Sequence, residues 1–113
     1  MTAIIRAISI KQPFVEQILR GTKRREYRKV PTKIRGRVYI YASLKPRTEK
    51  EFWRGMDKAA DQLPKGKIVG SVEIVDCKPH PDGFAYKLAN PKRLRTNLIP
   101  KNQPSPIFWR PEF

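Results

Sequence analysis

Lys23, Glu26 and Arg28 place an ammonium, a carboxylate and a forked guanidinium within six residues of one another. Such a set can hold an anion and a base edge together, because Arg28 can grip two oxygens at once and Glu26 can accept from an amine or a ring N–H. The same set admits acid–base work. Lys23, made less basic by desolvation and by cationic neighbours such as Arg24, Arg25 or Arg28, would serve as base or nucleophile while Glu26 moves a proton. A plainer reading is an internal ion pair in which Glu26 pins the loop to a nearby cation.

The elements that must position these side chains lie just ahead of them. Pro13 suits the first turn of a helix, with Gln12 before it to help cover the free amides. Val15, Ile18 and Leu19 then fall on one side at helical spacing, and Glu16, Gln17 and Arg20 on the other. Gly21 suits a left-handed C-terminal cap, so the chain reverses before Lys23. Alternation over Glu26, Tyr27 and Arg28 predicts a short strand with Glu26 and Arg28 on one face and Tyr27 on the other. The spacing therefore predicts one cleft shared by Lys23, Glu26, Arg28 and the Gln12-Pro13 end of a helix over 13–20.

Gly21, Lys23, Glu26 and Arg28 spell G-x-K-x-x-E-x-R, with Gln12-Pro13 ahead of it. In this the chain resembles the ASCH domains, relatives of the PUA-like RNA-binding folds. The resemblance runs on through the strand around Tyr39 to Ser43, the strand from Lys67 to Cys77, and the tail with Asn90-Pro91, Pro100 and Trp109. It implies an α+β fold, a small, partly open PUA-like β-barrel flanked by two helices. It also implies RNA binding through a basic cleft built around the motif, in RNA metabolism or translation-related regulation. Nucleic-acid contacts are then expected from Gln12, Pro13, Lys23, Arg25, Glu26, Arg28, Tyr41, Ser43 and Lys45. Some bacterial members of this family are ribonucleases or acetylcytidine amidohydrolases, the latter with a Lys, a Thr and a Glu as catalytic set. Lys23 matches the first of these, but Glu26 stands where the Thr would be. The alternative function is an RNA-directed hydrolase with Lys23 and Glu26 in its active site.

Composition sets the partner class. The chain has 113 residues, the size of a single domain, here 1–113. Its 25 Lys and Arg against 10 Asp and Glu give a net charge of +15. So large a charge on so small a body raises a positive potential that attracts polyanions, and RNA, single-stranded or structured, is the leading candidate. No long amphipathic helix with a basic face suggests a membrane surface. Cys77 is the single cysteine, so neither an internal disulfide nor a Cys-rich zinc site can form. His80, the single histidine, lacks further ligands beside it. No metal or cofactor is expected. With no secretory leader in the first residues and no membrane-span pattern, the expectation is a cytoplasmic monomer.

Along the chain, alternation predicts strands over Ile4–Ile10, Val38–Ala42 and Ile68–Cys77, with Gly70 marking a bulge or bend. In the last of these, Ile68, Val72 and Ile74 should share a face, with Val69 opposite. Thr48 and Glu51 have capping-box spacing before an apolar pattern of Phe52, Met56, Ala59, Ala60 and Leu63, which predicts a helix over Glu49–Leu63 with Lys58 on its outer face. Gly55 weakens that helix by about 1 kcal/mol. Glu73 is expected in an exposed cross-strand pair. A turn over Lys78–Gly83 leads to a short strand over Phe84–Leu88, and the prolines after Ala89 argue against regular structure except around Ile107–Trp109. Among the aromatics, Phe14, Tyr39, Tyr41 and Trp109 are the candidates for stacking a base.

Overall fold

The computed structural model describes residues 3–113. Its strands are β1 (Ala7–Ile10), β2 (Arg25–Arg28), β3 (Gly36–Ala42), β4 (Lys67–His80), β5 (Gly83–Leu98) and β6 (Phe108–Trp109). They form one mixed sheet in the order β2-β5-β4-β3-β1-β6. β1 runs parallel to β3, and the other pairs are antiparallel. All of β1 is buried, as an inner strand covered on both faces should be. It is shorter than the predicted Ile4–Ile10: pairing with β3 begins at the Arg6 carbonyl, which accepts from the Tyr39 amide at 2.9 Å, and Ile5 lies in solvent.

The main core collects Ile8 and Ile10 from β1, Val15 and Ile18 from helix α1 (Phe14–Arg20), Val38 and Ile40 from β3, and Tyr86 from β5. A smaller cluster on the other face holds Ala7, Tyr41, Ile68 and Trp109. Ile68 therefore does not share a face with Val72 and Ile74, which lie with Val69 in the main core. The reason is the bulge at Gly70, where the β4 register shifts against both neighbours and reverses the alternation. A Cβ at Gly70 would stand 2.5 Å from the Lys92 carbonyl oxygen and 2.6 Å from Leu19 Cδ2. Only glycine fits so close a crossing.

Two predicted boundaries fail for identifiable reasons. The helix over Glu49–Leu63 is reduced to one turn, α2 (Lys50–Trp53), followed by a 3₁₀ turn at Ala60–Gln62. Gly55 takes φ of 82° and interrupts the helical path, and Thr48 makes no side-chain cap. The apolar residues still pack, Phe52 edge-on against Phe14 at 5.1 Å and Leu63 buried, but from an irregular strap. Lys58 is exposed on that strap and not on a helix face. At the other end, the turn predicted over Lys78–Gly83 tightens to Pro81-Asp82, and β5 continues through Pro91 to Leu98. The register shift between Ser71 and Glu73 absorbs Asn90, at φ of 51°, and Pro91 in a bulge, so the proline removes no ladder bond that the strand needs.

The barrel implied by resemblance is present as an open, curled sheet. β2 and β6 are its two ends and do not pair. Side chains join them instead: Arg28 on β2 donates to the Ser9 carbonyl on β1 at 2.5 Å and to the Pro106 carbonyl ahead of β6 at 3.2 Å. The rings of Tyr86 and Phe108 stack across the same seam, 6.0 Å between centroids. Among the described residues no helix is long and apolar enough to cross a membrane.

Candidate nucleic-acid interface

The turn at Gly21 forms as the sequence indicates, with φ of 82° and its amide on the Ile18 carbonyl. The chain then returns beside α1, since the Thr22 and Lys23 amides both donate to the Gln17 carbonyl. β2 alternates as expected, with Arg25 and Tyr27 exposed, Glu26 buried and Arg28 partly covered. Glu26 and Arg28 thus turn inward from the edge strand, onto the open seam.

A cleft of about 240 Å³ opens there, with Glu26 and Arg28 in its wall and Ser9, Ser43 and Pro106 beside them. Phe14 and Tyr27 supply aromatic surface, and Lys11 and Arg47 add cations. Arg28 donates from Nε to Glu26 Oε2 at 3.0 Å, and the Lys23 ammonium lies 3.7 Å from Glu26 Oε1. That ammonium also sits over the Phe14 ring at 4.6 Å and the Tyr27 ring at 5.1 Å. Lys23 therefore forms a cationic post between two rings, with its countercharge in the cleft wall. Tyr27 stands at the rim, 47% exposed, its ring tilted against His80 with 4.7 Å between centroids.

The other predicted contacts fall elsewhere. Gln12 is fully buried: its Nε2 donates to the Pro64 carbonyl at 3.1 Å and its Oε1 accepts from the Glu16 amide at 3.1 Å. It caps α1 and ties it to the strap, and Pro13 is buried with it. Their place in the fold is structural because a helix start packed on the core leaves its polar groups only internal partners. Tyr41 lies in the smaller core, edge-on to Trp109 at 5.4 Å, and burial pushes its hydroxyl pKa up. Trp109 is buried too, donating from Nε1 to Ser9 Oγ at 2.9 Å, and Tyr39 packs on Phe113. Lys45 and Arg25 are exposed, and neither is part of the cleft lining. Phe14 and Ser43 line the cleft.

Lys11, Tyr27 and Arg47 also line the cleft, and no sequence motif marks them. Arg47 comes from the loop after β3, held by its amide on the Gln12 carbonyl at 2.8 Å and by its guanidinium over the Phe52 ring at 5.1 Å. It is bound to Glu49, whose carboxyl it holds down at about 2 by hydrogen bonding. The signal for Arg47 would have been the parallel pairing of β1 and β3, which brings both strand ends to one edge. Glu73 pairs across strands with Arg37 at 3.3 Å, as expected.

A separate ionic network anchors α1. Glu16, buried, accepts from Arg20 at 2.6 Å and from Nη1 and Nη2 of Arg93 at 2.9 and 3.0 Å, and Arg20 reaches Asp57 at 2.8 Å. Burial would raise the Glu16 pKa, but the hydrogen bonds from Arg93 and Arg20 outweigh it and hold the carboxyl below its ordinary value. Placed on the solvated side of the helix by periodicity, Glu16 is instead the joint between α1, β5 and the strap.

The model of the ASCH domain family matches residues 8–93. Over 80 residues the chain is 32% identical to human activating signal cointegrator 1, an alignment that covers 62% of this chain and 14% of that protein.

Proposed function

This chain belongs to the ASCH domain family, and on that premise we propose that it binds single-stranded RNA through the cleft between β2 and the β1 end of the sheet. The observation that carries the reading is the meeting of an exposed ring, Tyr27, and a partly covered one, Phe14, with Lys11, Lys23, Arg28 and Arg47 around a buried carboxylate. Unpaired bases stack on such rings, cations take the adjoining phosphates, and a fixed carboxylate can accept from a base amine or ring N–H. The net charge of +15 supplies long-range attraction. A role in RNA metabolism or translation-related regulation follows from the family's association with RNA. The human relative's name describes a signal cointegrator; the shared stretch is 14% of its length, so the domain is transferred and that role is not.

A hydrolase is the second reading, favoured by one feature: Lys23 is largely covered and its ammonium lies 3.7 Å from Glu26. Both readings are tested by titrating labelled single-stranded RNA into wild type, Lys23→Ala and Lys58→Ala. Binding is expected to weaken for Lys23→Ala alone; equal affinities in the two variants would remove the cleft from consideration. Turnover of RNA or acetylated cytidine that disappears in Lys23→Ala would assign catalysis to it.

A further inference from the structure

On the other side of Lys23 lies a second and larger groove, about 570 Å³, between the C-terminal end of α1 and β5. Its floor is apolar, from Ile18, Val72 and Leu88, and its rim is cationic, from Lys23, Arg24, Arg25 and Lys87. Arg24, Arg25 and Lys87 are exposed and make no ion pair among the described residues. Arg25 and Lys87 are moreover direct cross-strand partners in the β2–β5 ladder. Like charges directly opposite one another destabilise a strand pair. The one carboxylate in line with them is Asp76, opposite Lys87 on β4, and its ion pairs are with Arg35 at 4.0 Å and Lys78 at 3.8 Å. This face therefore carries uncompensated positive charge at a concave place.

We infer that this groove is a binding site for the sugar-phosphate backbone of a single RNA strand whose base end occupies the first cleft, so that the strand crosses the β2 edge over Lys23. The inference rests on the reading of the first cleft given above. Lys23 makes the two sites continuous, because it lines the groove while its ammonium stands against Glu26, Phe14 and Tyr27. The two ends differ in chemistry. The first cleft has rings and a carboxylate suited to a base, whereas no aromatic ring and no carboxylate lines the second. Apolar floor and unpaired cations suit ribose faces and phosphates, without base readout.

The test compares a labelled dinucleotide with a labelled oligouridylate of about 12 residues, a length chosen to exceed the few nucleotides a single site engages. The groove variant is Arg24→Ala, Arg25→Ala and Lys87→Ala together, with Gln at the same positions as a second version that keeps side-chain length. A control of equal charge loss carries Lys50→Ala, Lys58→Ala and Lys101→Ala, all exposed and outside both sites. Expected for both groove variants is a loss of about tenfold in affinity for the long probe and a fall of about 2 in the slope of log affinity against log salt, with dinucleotide binding unchanged. The inference is overturned if the long probe keeps its affinity and slope, if the control weakens it as much as the groove variants do, or if wild type does not bind the long probe. Failure of the cleft reading looks different: wild type would not bind the dinucleotide, or Tyr27→Ala would leave dinucleotide binding intact, while the groove variants still weakened the long probe.

Discussion

Arg28 and Glu26 sit two residues apart on an edge strand, and Arg28 uses that pairing to bridge the two ends of the open sheet. Its Nε and Nη2 hold Glu26 Oε2 at 3.0 and 2.9 Å, which orients the guanidinium so that its outer nitrogens reach the Ser9 and Pro106 carbonyls across the seam. Strand alternation alone sends both side chains to one face; the missing β2–β6 ladder gives them something to bridge. The motif thus lines the cleft and joins the ends of the sheet with the same atoms.

Removing either partner should therefore cost stability as well as binding. Glu26 is buried, and Arg28→Ala would leave its carboxylate with only the more distant Lys23. A loss of about 2–4 kcal/mol is expected for Arg28→Ala or Glu26→Ala, since breaking a covered ion pair strands the other charge. Lys23→Ala, which removes a longer pair and two ring contacts, should cost about 1 kcal/mol. Urea unfolding measures all three. Equal small losses would mean that the seam holds without Arg28.

The Glu16 network predicts a pH response of definite sign. Its carboxyl pKa is lowered in the folded protein, so the unfolded chain binds the proton more readily. The contribution is fully present above the unfolded value of about 4.3 and is lost as pH falls through the folded value. Stability of wild type should accordingly drop more steeply below about pH 4.3 than that of Glu16→Gln, which starts lower at neutral pH. Chemical unfolding at pH 7 and at pH 3 decides it; parallel losses in the two proteins would assign the acid response to other carboxylates.

How far the sequence could be read depended on the range of the interaction. Gly21, the alternation of β2 and the inward faces of Val38 and Ile40 are set by neighbours in the chain, and they were legible. Ile68 was assigned to the wrong face because a bulge adds a residue without any change in composition, so periodicity on either side of Gly70 is out of phase. Gly55 was visible as a cost to a helix, but periodicity does not mark it as the left-handed residue, φ of 82°, at which the helical path stops. In the candidate site, Lys23, Glu26 and Arg28 were found as a motif, whereas Lys11 and Arg47 are brought together only by the pairing of β1 with β3. Gln12 failed as a contact for the converse reason. Its neighbours in sequence suggest a free cap, yet Pro64, 52 residues on, takes its amide.

Gly70 offers a direct check on the bulge. An added methyl would meet the Lys92 backbone carbonyl, which cannot rotate aside as a side chain can. Gly70→Ala should destabilise the domain by about 1–3 kcal/mol through overpacking, and the loss should appear in thermal unfolding with the cleft untouched. A neutral substitution would mean that β4 and β5 separate at little cost.

Tyr27 and Lys11 separate the two kinds of force expected in the cleft. Tyr27 is 47% exposed and contacts Lys23 and His80, so Tyr27→Ala should change folding stability little. Loss of a stacked base should nevertheless weaken single-stranded RNA binding by about 1–3 kcal/mol, and because stacking releases no counterions the salt slope should stay as in wild type. Lys11→Ala removes one exposed cation from the cleft rim, so it should lower the slope by about 0.7 and weaken binding mainly at low salt. Titrations of both variants over a range of salt concentrations read the two effects independently. If Tyr27→Ala changed the slope and not the intercept, its ring would be acting through Lys23, and the stacking assignment would pass to Phe14.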